Sequence, residues 1–562
     1  MRPARALRSA GVALVLAAAT LLGGCATIPT QGQVQIGTTQ NPDAPNDVAF
    51  VPSGPPAGAS QADIVNGFVL AATGPQGDYA IAREFLTAAF AKQWNAKARV
   101  LIQNARARPV TAAPNVLSLA VPTLARVDRA GVYASYPTVK TTPVQFEFAK
   151  VNGQWRIART ADGIVLGKDY FTRLFTSRAL YYLDRTSNRV VPDLRWFPNR
   201  VTRRPEDAVA ALLAGQAPPI ASPVTVTAFP PGTRAGDVRV APSGVATVDL
   251  RTGPAIPPEP TLRRMRLQLE QTLRGLDGIT SVQLSLNGRL VLARPLQRAS
   301  SVANPAPLVY RSGVFGYLAG NRVTAEGPFA KNVAWLKPSA VTTSARQGFA
   351  AALAADGVHV VTASARLLVD RRPQLIAPTI DAGGWTYSVP QDHPQELLAF
   401  DVKGHRQPVR AEMPGLESIE SIEIARDGTR MLVLGLTPDG PRSFVAGIER
   451  DGRGAPVSLT TAVYGVTIPE PSAVDATWVS DGSVAVLTRG SDGDQVTLQT
   501  LGGDVQALGR LSGSTALVGA ASEGSLGQDE LRALLSTGAI YEPRGSRWGP
   551  SGGTADVLAI QR

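Results

Sequence analysis

The sequence predicts a multidomain protein in which an α+β N-terminal region, itself two units, is followed by an all-β propeller. Three observations carry this expectation. Helix-type and strand-type hydrophobic periodicities alternate up to about residue 300, and helical periodicity almost vanishes beyond it. In that last stretch, residues 303–562, short apolar runs recur around Asp-Gly turns. The 562 residues contain a single cysteine, so no disulfide framework holds the fold; at 44% hydrophobic and 18% charged residues the chain must build conventional cores, and its length suffices for several domains.

The N-terminus, residues 1–24, reads as an export signal. Arg2, Arg5 and Arg8 form a basic start, and Ala10 to Gly24 is a charge-free apolar segment of 15 residues. A bilayer-spanning helix needs about 20 apolar residues, so this segment is too short to span. Its end, Leu22-Gly23-Gly24-Cys25, resembles the bacterial lipobox. That motif implies cleavage before Cys25, a diacylglycerol on its sulfur, and an acyl group such as palmitate on its new amine. Two or three acyl chains make a stable membrane anchor where one is marginal. No second spanning run follows, so the expected location is the extracytoplasmic face of the cell membrane. Residues 25–59 then read as the lipidated cysteine and a Gly/Pro/Gln/Thr/Asn-rich tether, with a loop packed on the first domain as the alternative. The net charge of +12 includes three signal arginines, leaving 12 − 3 = +9 for the mature chain. Such a surplus favours anionic headgroups or envelope polymers, and export argues against nucleic acid.

Residues 60–172 form the first α+β unit. Ile64, Val65, Phe68 and Val69 recur at helical spacing, and Asp78 is expected to cap a second helix with Ile81, Phe85, Ala88, Ala89 and Phe90 on one face. Val144 to Phe148 and Gln154 to Ile157 alternate around Asn152-Gly153, a hairpin signal. Helices followed by a sheet that ends in this Gly-x-Trp-Arg-Ile hairpin resemble the cone-shaped domains of the nuclear-transport-factor-2 (NTF2) type.

Residues 173–302 form the second unit. Strands are expected at 179–183 and 194–197 about a turn at Ser187-Asn188, and at 224–229, 238–240, 246–250, 282–286 and 290–292. One helix opens at Pro205-Glu206-Asp207 and ends at Gly215; another carries Leu262, Met265, Leu269 and Leu273. The Tyr-Tyr-Leu strand, Phe229-Pro-Pro-Gly-Thr233, Ala246-Thr-Val-Asp-Leu250 and the closing Val-x-Leu-x-Leu-Asn-Gly resemble the GerM-type domain of sporulation and germination proteins. That resemblance implies a noncatalytic interaction module.

In residues 303–562, Phe349 to Val361, Ile422 to Val433 and Ala476 to Leu487 align as inner strand, Asp-Gly turn and return strand. Outer strands are expected at 398–404, 444–452 and 496–502, with further units around Val309 to Val323, Trp385 to Tyr387 and Leu531 to Trp548. Repeated four-stranded units of this length predict a β-propeller. Six blades account for the length; five or seven, or a large sandwich, are the alternatives.

Catalytic patterns are absent. The three histidines, His359, His393 and His405, lack zinc-site spacing, and no cofactor is expected. No Gly-x-Ser-x-Gly elbow and no phosphate-binding Gly loop occur. Asp356, Asp427 and Asp481 read as turn residues before glycine. The remaining candidate surface is basic: Arg263, Arg264, Arg266 and Arg274 lie largely off the apolar stripe of their helix, as a solvated face or as an anion-binding or partner-binding patch.

The order of lipobox, tether, NTF2-like domain, GerM-like domain and propeller resembles the LpqB family of actinobacterial lipoproteins over essentially the whole chain. The segment Leu375 to Tyr387 is similar to a family blade motif that is usually richer in Arg, Pro, Ser and Trp. The resemblance implies a noncatalytic accessory protein that binds the extracytoplasmic part of an MtrB-type sensor kinase and tunes an MtrA/MtrB-type two-component system governing envelope homeostasis and division. The alternative is a cell-wall ligand-binding protein that recognises peptidoglycan or teichoic fragments; a third reading is an enzyme acting on wall glycans.

Overall fold

A computed structural model describes residues 52–186, 189–199, 205–218, 220–296, 304–325, 327–344, 348–413, 415–519 and 531–562. The expected signal, Cys25, most of the tether and the turn at Ser187-Asn188 lie outside the described residues.

The first helix, α1 (Gln61–Ala71), starts where Ser60 and Asp63 cap it reciprocally. The Ser60 hydroxyl accepts from the Asp63 amide and the Asp63 carboxylate from the Ser60 amide, each at 3.2 Å. Ile64, Val65 and Phe68 are then buried, with Phe68 against Trp94 and Phe146 at 5.1 and 6.1 Å between ring centres. The expected second helix is instead two short ones, α2 (Ala80–Glu84) and α3 (Ala88–Gln93). Between them the chain is extended and bonds to the strand Gln154–Thr160: the Ile157 amide donates to the Phe85 carbonyl and the Thr87 amide to the Ile157 carbonyl, both at 2.9 Å. Asp78 does not cap α2; it has φ 55° and pairs with Arg83 at 2.7 Å, while Thr87 caps α3. Ala88 and Ala89, expected inside, are therefore exposed.

The helices cover one sheet, whose strand order is Gln154–Thr160, Tyr133–Val151, Val116–Asp128, Arg99–Gln103 and Ile164–Gly167, the last pair parallel. Along Val116–Asp128 burial alternates, placing Leu117, Leu119, Val121, Ala125 and Val127 in the core. Asn152 and Gly153 both have positive φ, 51° and 76°, as a two-residue hairpin turn requires. The segment α4 (Lys168–Leu174) leads into the next unit.

There, Phe175–Asp184 pairs with Val190–Pro198 in the expected hairpin, and only Thr225–Val226 of the expected strand at 224–229 joins them. Helix α5 (Pro205–Leu213) buries Val209 and Leu212. Helix α6 (Glu259–Leu273) links the parallel strands Val245–Arg251 and Ser281–Leu286, packing Met265, Leu269 and Leu273 on Val248, Leu250 and Leu284.

The described residues from 308 onward form six sheets built on antiparallel meanders, together with the short helix α7 (Ala330–Leu336). The first sheet takes Val557–Leu558 beside Leu308–Arg311, so the ring is closed by residues about 250 positions apart in sequence. Ile560–Gln561 continues alongside Ala340–Ser344. The three Asp-Gly segments are not equivalent. Ser418–Ile424 and Ser472–Ser480 are the first strands of their sheets, as expected, but Phe349–Ala354 is a second strand beside Ala340–Ser344. The outer strands expected at 398–404, 444–452 and 496–502 are the third strands of their sheets, and a fourth strand, Arg406–Pro408, Pro456–Val466 or Val505–Leu511, lies outside each. A hairpin repeats the same local pattern at either position of a meander, so local pattern alone does not set strand rank.

This difference makes a prediction. Gly357 has φ 131°, and a Cβ there would lie 2.0 Å from the Asp370 carbonyl oxygen; a Cβ on Gly482 would meet nothing within 4 Å. Gly357→Ala is expected to cost roughly 3 kcal/mol and Gly482→Ala less than about 0.5 kcal/mol, read from urea unfolding.

The units meet at Val190–Pro198. The Trp196 amide donates to the Gly131 carbonyl at 2.8 Å and its indole Nε1 to the Gly502 carbonyl at 2.7 Å. Its ring lies against Phe171 and Tyr133, 4.8 and 5.7 Å away. Arg195 pairs with Asp193 at 2.6 Å and donates to the carbonyls of Ala130 at 2.9 Å and Gly215 at 3.1 Å. One strand of the second unit thus bonds to both neighbours, and Pro52–Arg562 is one compact unit.

Candidate functional site

The strongest candidate for an interaction site is the exposed face of α7. This helix buries Ala330, Val333 and Leu336 and so turns Trp335 outward, 67% exposed and the only aromatic among the exposed large hydrophobic side chains of the described residues. The Arg366 guanidinium stacks 4.0 Å from the indole centre. Arg366 is itself fixed: Nη1 donates to Asn332 Oδ1 at 2.7 Å, and Asn332 Nδ2 donates to the carbonyls of Thr362 and Ala363 at 2.9 and 3.1 Å. Leu367 beside it is 38% exposed. Lys331 within α7 and Lys337 directly after it are both exposed, and with Arg366 they give this face positive charge. A rigid indole and guanidinium in a cationic surround suit a partner bearing apolar and acidic groups. Sequence reasoning missed Trp335; the signal was the spacing of Ala330, Val333 and Leu336, which leaves 335 off the buried stripe.

Polar groups also gather on the first strands of two adjacent sheets, Ser418–Ile424 and Ser472–Ser480. Glu423 accepts from the Trp478 amide at 3.0 Å and Thr477 Oγ1 at 3.2 Å, and pairs with Arg562. Asp475 Oδ2 accepts from the Leu517 amide and Oδ1 from the Ala476 amide, both at 2.8 Å. Asp475 is half-buried and ringed by protein, and burial pushes its carboxyl up to about 6, against the pull of the Leu517, Ser421 and Ala476 hydrogen bonds. The native state therefore keeps this proton between about pH 4 and 6, where the unfolded chain has lost it. Stability from this group is present below about pH 4 and falls by up to about 3 kcal/mol as pH rises through 6. Asp475→Asn is expected to remove that slope, so that its stability relative to wild type rises between pH 4 and pH 7 in urea unfolding.

The Asp-Gly turns hold more than turn geometry. Asp427 is buried and accepts from Thr429 and Arg430; Arg430 reaches the Asp481 carbonyl at 2.5 Å and lies 4.8 Å over the Trp478 ring, tying two adjacent sheets. Likewise Asp381, inside the motif at 375–387, pairs with Arg450 at 2.5 Å and accepts from Tyr387 Oη at 2.9 Å. His359 lies in a strand, His405 contacts Asp401 at 2.8 Å and His393 lies in a loop. No group of three or more His, Cys, Asp or Glu among the described residues could hold a metal ion.

The three arginines of α6 and Arg274, which caps its C-terminus, are not alike. Arg266 pairs with Glu270 at 2.7 Å and donates to the Ala293 carbonyl at 2.6 Å, which gives it an internal role. Arg263 lies 3.9 Å from Glu259, and Arg274 is exposed; no carboxylate among the described residues pairs with Arg264 or Arg274. No helix among the described residues is long and apolar enough to cross a membrane.

Comparison with known proteins adds three family matches: "Lipoprotein LpqB, N-terminal domain" over residues 54–172, "Sporulation and spore germination" over 179–291, and "Lipoprotein LpqB beta-propeller domain" over 313–556. Lipoprotein LpqB of Streptomyces coelicolor is 28% identical over 88% of each chain. Lipoprotein LpqB of Cutibacterium acnes is 32% identical over 51% of this chain, which spans 48% of that relative's length. Among solved structures, the first GerMN domain of the sporulation protein GerM from Bacillus subtilis is 20% identical with TM-score 0.18, covering 22% of this chain and 95% of its own. TolB from Acinetobacter baumannii is 13% identical with TM-score 0.31, covering 45% of this chain and 66% of its own.

Proposed function

The chain belongs to the LpqB lipoprotein family of actinobacteria, and from that membership we propose that it is a lipid-anchored, extracytoplasmic, noncatalytic accessory protein that binds the extracytoplasmic domain of an MtrB-type sensor kinase. The observation that carries the binding reading is the Trp335 and Arg366 pair, an exposed anchor already held in one geometry. Preorganised aromatic and arginine side chains cost little entropy on association and dominate interface energetics. Lipidation at Cys25 confines both proteins to one membrane face, and confinement raises effective concentration so that a modest interface is occupied. Binding changes kinase output only if it favours one kinase conformation. The cellular test replaces the chain by the Trp335→Ala/Arg366→Ala variant at equal abundance and measures response-regulator phosphorylation under envelope stress. Altered output supports the reading; output equal to wild type, in cells where complete loss of the protein does change it, contradicts this surface.

A further inference from the structure

The N-terminal domain contains a cavity of about 570 Å³ between α1, the segment after the strand Arg99–Gln103 and the start of α4. That volume falls within the roughly 300–1,000 Å³ typical of small-ligand pockets. Its lining is divided by chemistry. Val69, Leu119 and Val165 supply an apolar floor and the exposed Leu70 continues it to the mouth, with Leu119 and Val165 belonging to the domain core. The rim carries Arg106, Lys168 and Arg173 against a single carboxylate, Asp169, a balance of 3 − 1 = +2. Arg173 is partly committed, donating through Nε to the Asp169 carbonyl at 3.2 Å and lying 5.3 Å over Tyr170. Among the described residues no carboxylate pairs with Arg106 or Lys168, so the rim's positive charge is uncompensated where the apolar floor opens.

We propose that this cavity is a ligand site for an anionic amphiphile, whose apolar tail lies on Val69, Leu70, Leu119 and Val165 and whose phosphate or carboxylate head meets Arg106 and Lys168. Each half of the cavity selects against a simpler ligand. A free inorganic anion would leave the apolar floor unused, and a neutral apolar molecule would leave the cations without a partner. The site lies on a different domain from the Trp335 surface, so the two readings stand or fall separately.

The test uses residues 26–562, which contain the whole compact unit, titrated calorimetrically with dodecyl phosphate below its micelle concentration. Inorganic phosphate and dodecyl maltoside serve as controls. The site predicts saturable one-to-one binding of dodecyl phosphate, at least about tenfold tighter than either control and at least about tenfold weaker for Arg106→Ala/Lys168→Ala. Leu70→Trp is expected to block the cavity; Leu70 is 41% exposed, so the larger ring can be accommodated at the mouth without entering the core, and unchanged thermal unfolding verifies this. With binding established, competition by phosphatidylglycerol vesicles but not phosphatidylcholine vesicles assigns the ligand to the bilayer, and no competition assigns it to a free amphiphile. Absence of saturation, equal binding of dodecyl maltoside, or wild-type affinity in folded Arg106→Ala/Lys168→Ala protein overturns the proposal.

Discussion

Replacing Asp193 by Ala is expected to destabilise the protein by about 3–5 kcal/mol, because it leaves the buried Arg195 guanidinium without its counter-ion. The two side chains are only 1% and 3% exposed, and 2.6 Å separates Asp193 Oδ2 from Arg195 Nη2. Burial alone pulls Arg195 down, yet Asp193 outweighs it and holds the group above its ordinary value. Asp193 also accepts from the Ala217 amide at 3.0 Å, so its loss leaves a second buried donor unpaired. The effect should spread beyond the pair. Arg195 holds the Ala130 carbonyl of the first unit and the Gly215 carbonyl of the second. Urea unfolding followed by domain-resolved hydrogen exchange should show the first two units opening together in wild type and separately in Asp193→Ala. The double variant Asp193→Leu/Arg195→Met, which removes both charges at similar volume, should recover most of the loss. A double variant as unstable as the single one would show that backbone packing, and not the ion pair, sets stability here.

Trp335→Ala is expected to weaken capture of the sensor-kinase domain by about 30-fold or more, the effect of losing an interface anchor of 2 kcal/mol. The side chain contributes little to folding, since 67% of its surface is exposed and the buried contacts of α7 come from Ala330, Val333 and Leu336. Thermal stability should therefore change by less than about 0.5 kcal/mol, which separates a binding defect from misfolding. Arg366→Ala should weaken binding less, because it frees the indole without deleting it; Arg366→Lys should not restore it, since an ammonium cannot stack as a planar guanidinium does. Added salt should lower affinity through the cationic surround while leaving the Trp335→Ala ratio nearly unchanged.

Much of the architecture was legible because it is written in local periodicity. Leu262, Met265, Leu269 and Leu273 gave α6, and Asn152-Gly153 and Asn287-Gly288 gave hairpins whose residues do adopt positive φ. The break between α2 and α3 was not legible, because it arises when Phe85 to Thr87 bond to Ile157, some 70 residues away. Strand rank within the propeller was lost for the same reason: the first sheet is completed by Val557–Leu558, and a hairpin motif carries no record of which strand stands inside it. Among functional candidates, the α6 arginines were visible as a charged face, but not the Ala293 carbonyl and Glu270 that hold Arg266 inward. Trp335 escaped because the spacing of Ala330, Val333 and Leu336 that leaves it off the buried stripe spans only a seven-residue helix, too short for its period to stand out in a region that otherwise reads as strands. Asp193 and Arg195 look like an ordinary alternation in a strand, and nothing local announces that Ala130 and Gly215 converge on them.

The most direct measurement is surface plasmon resonance between residues 26–562 and the purified extracytoplasmic domain of the cognate MtrB-type kinase. The wild-type chain should bind saturably, and the chain carrying Trp335→Ala should bind about 30-fold more weakly at unchanged thermal stability. No saturable binding by two folded proteins would contradict the accessory-regulator account.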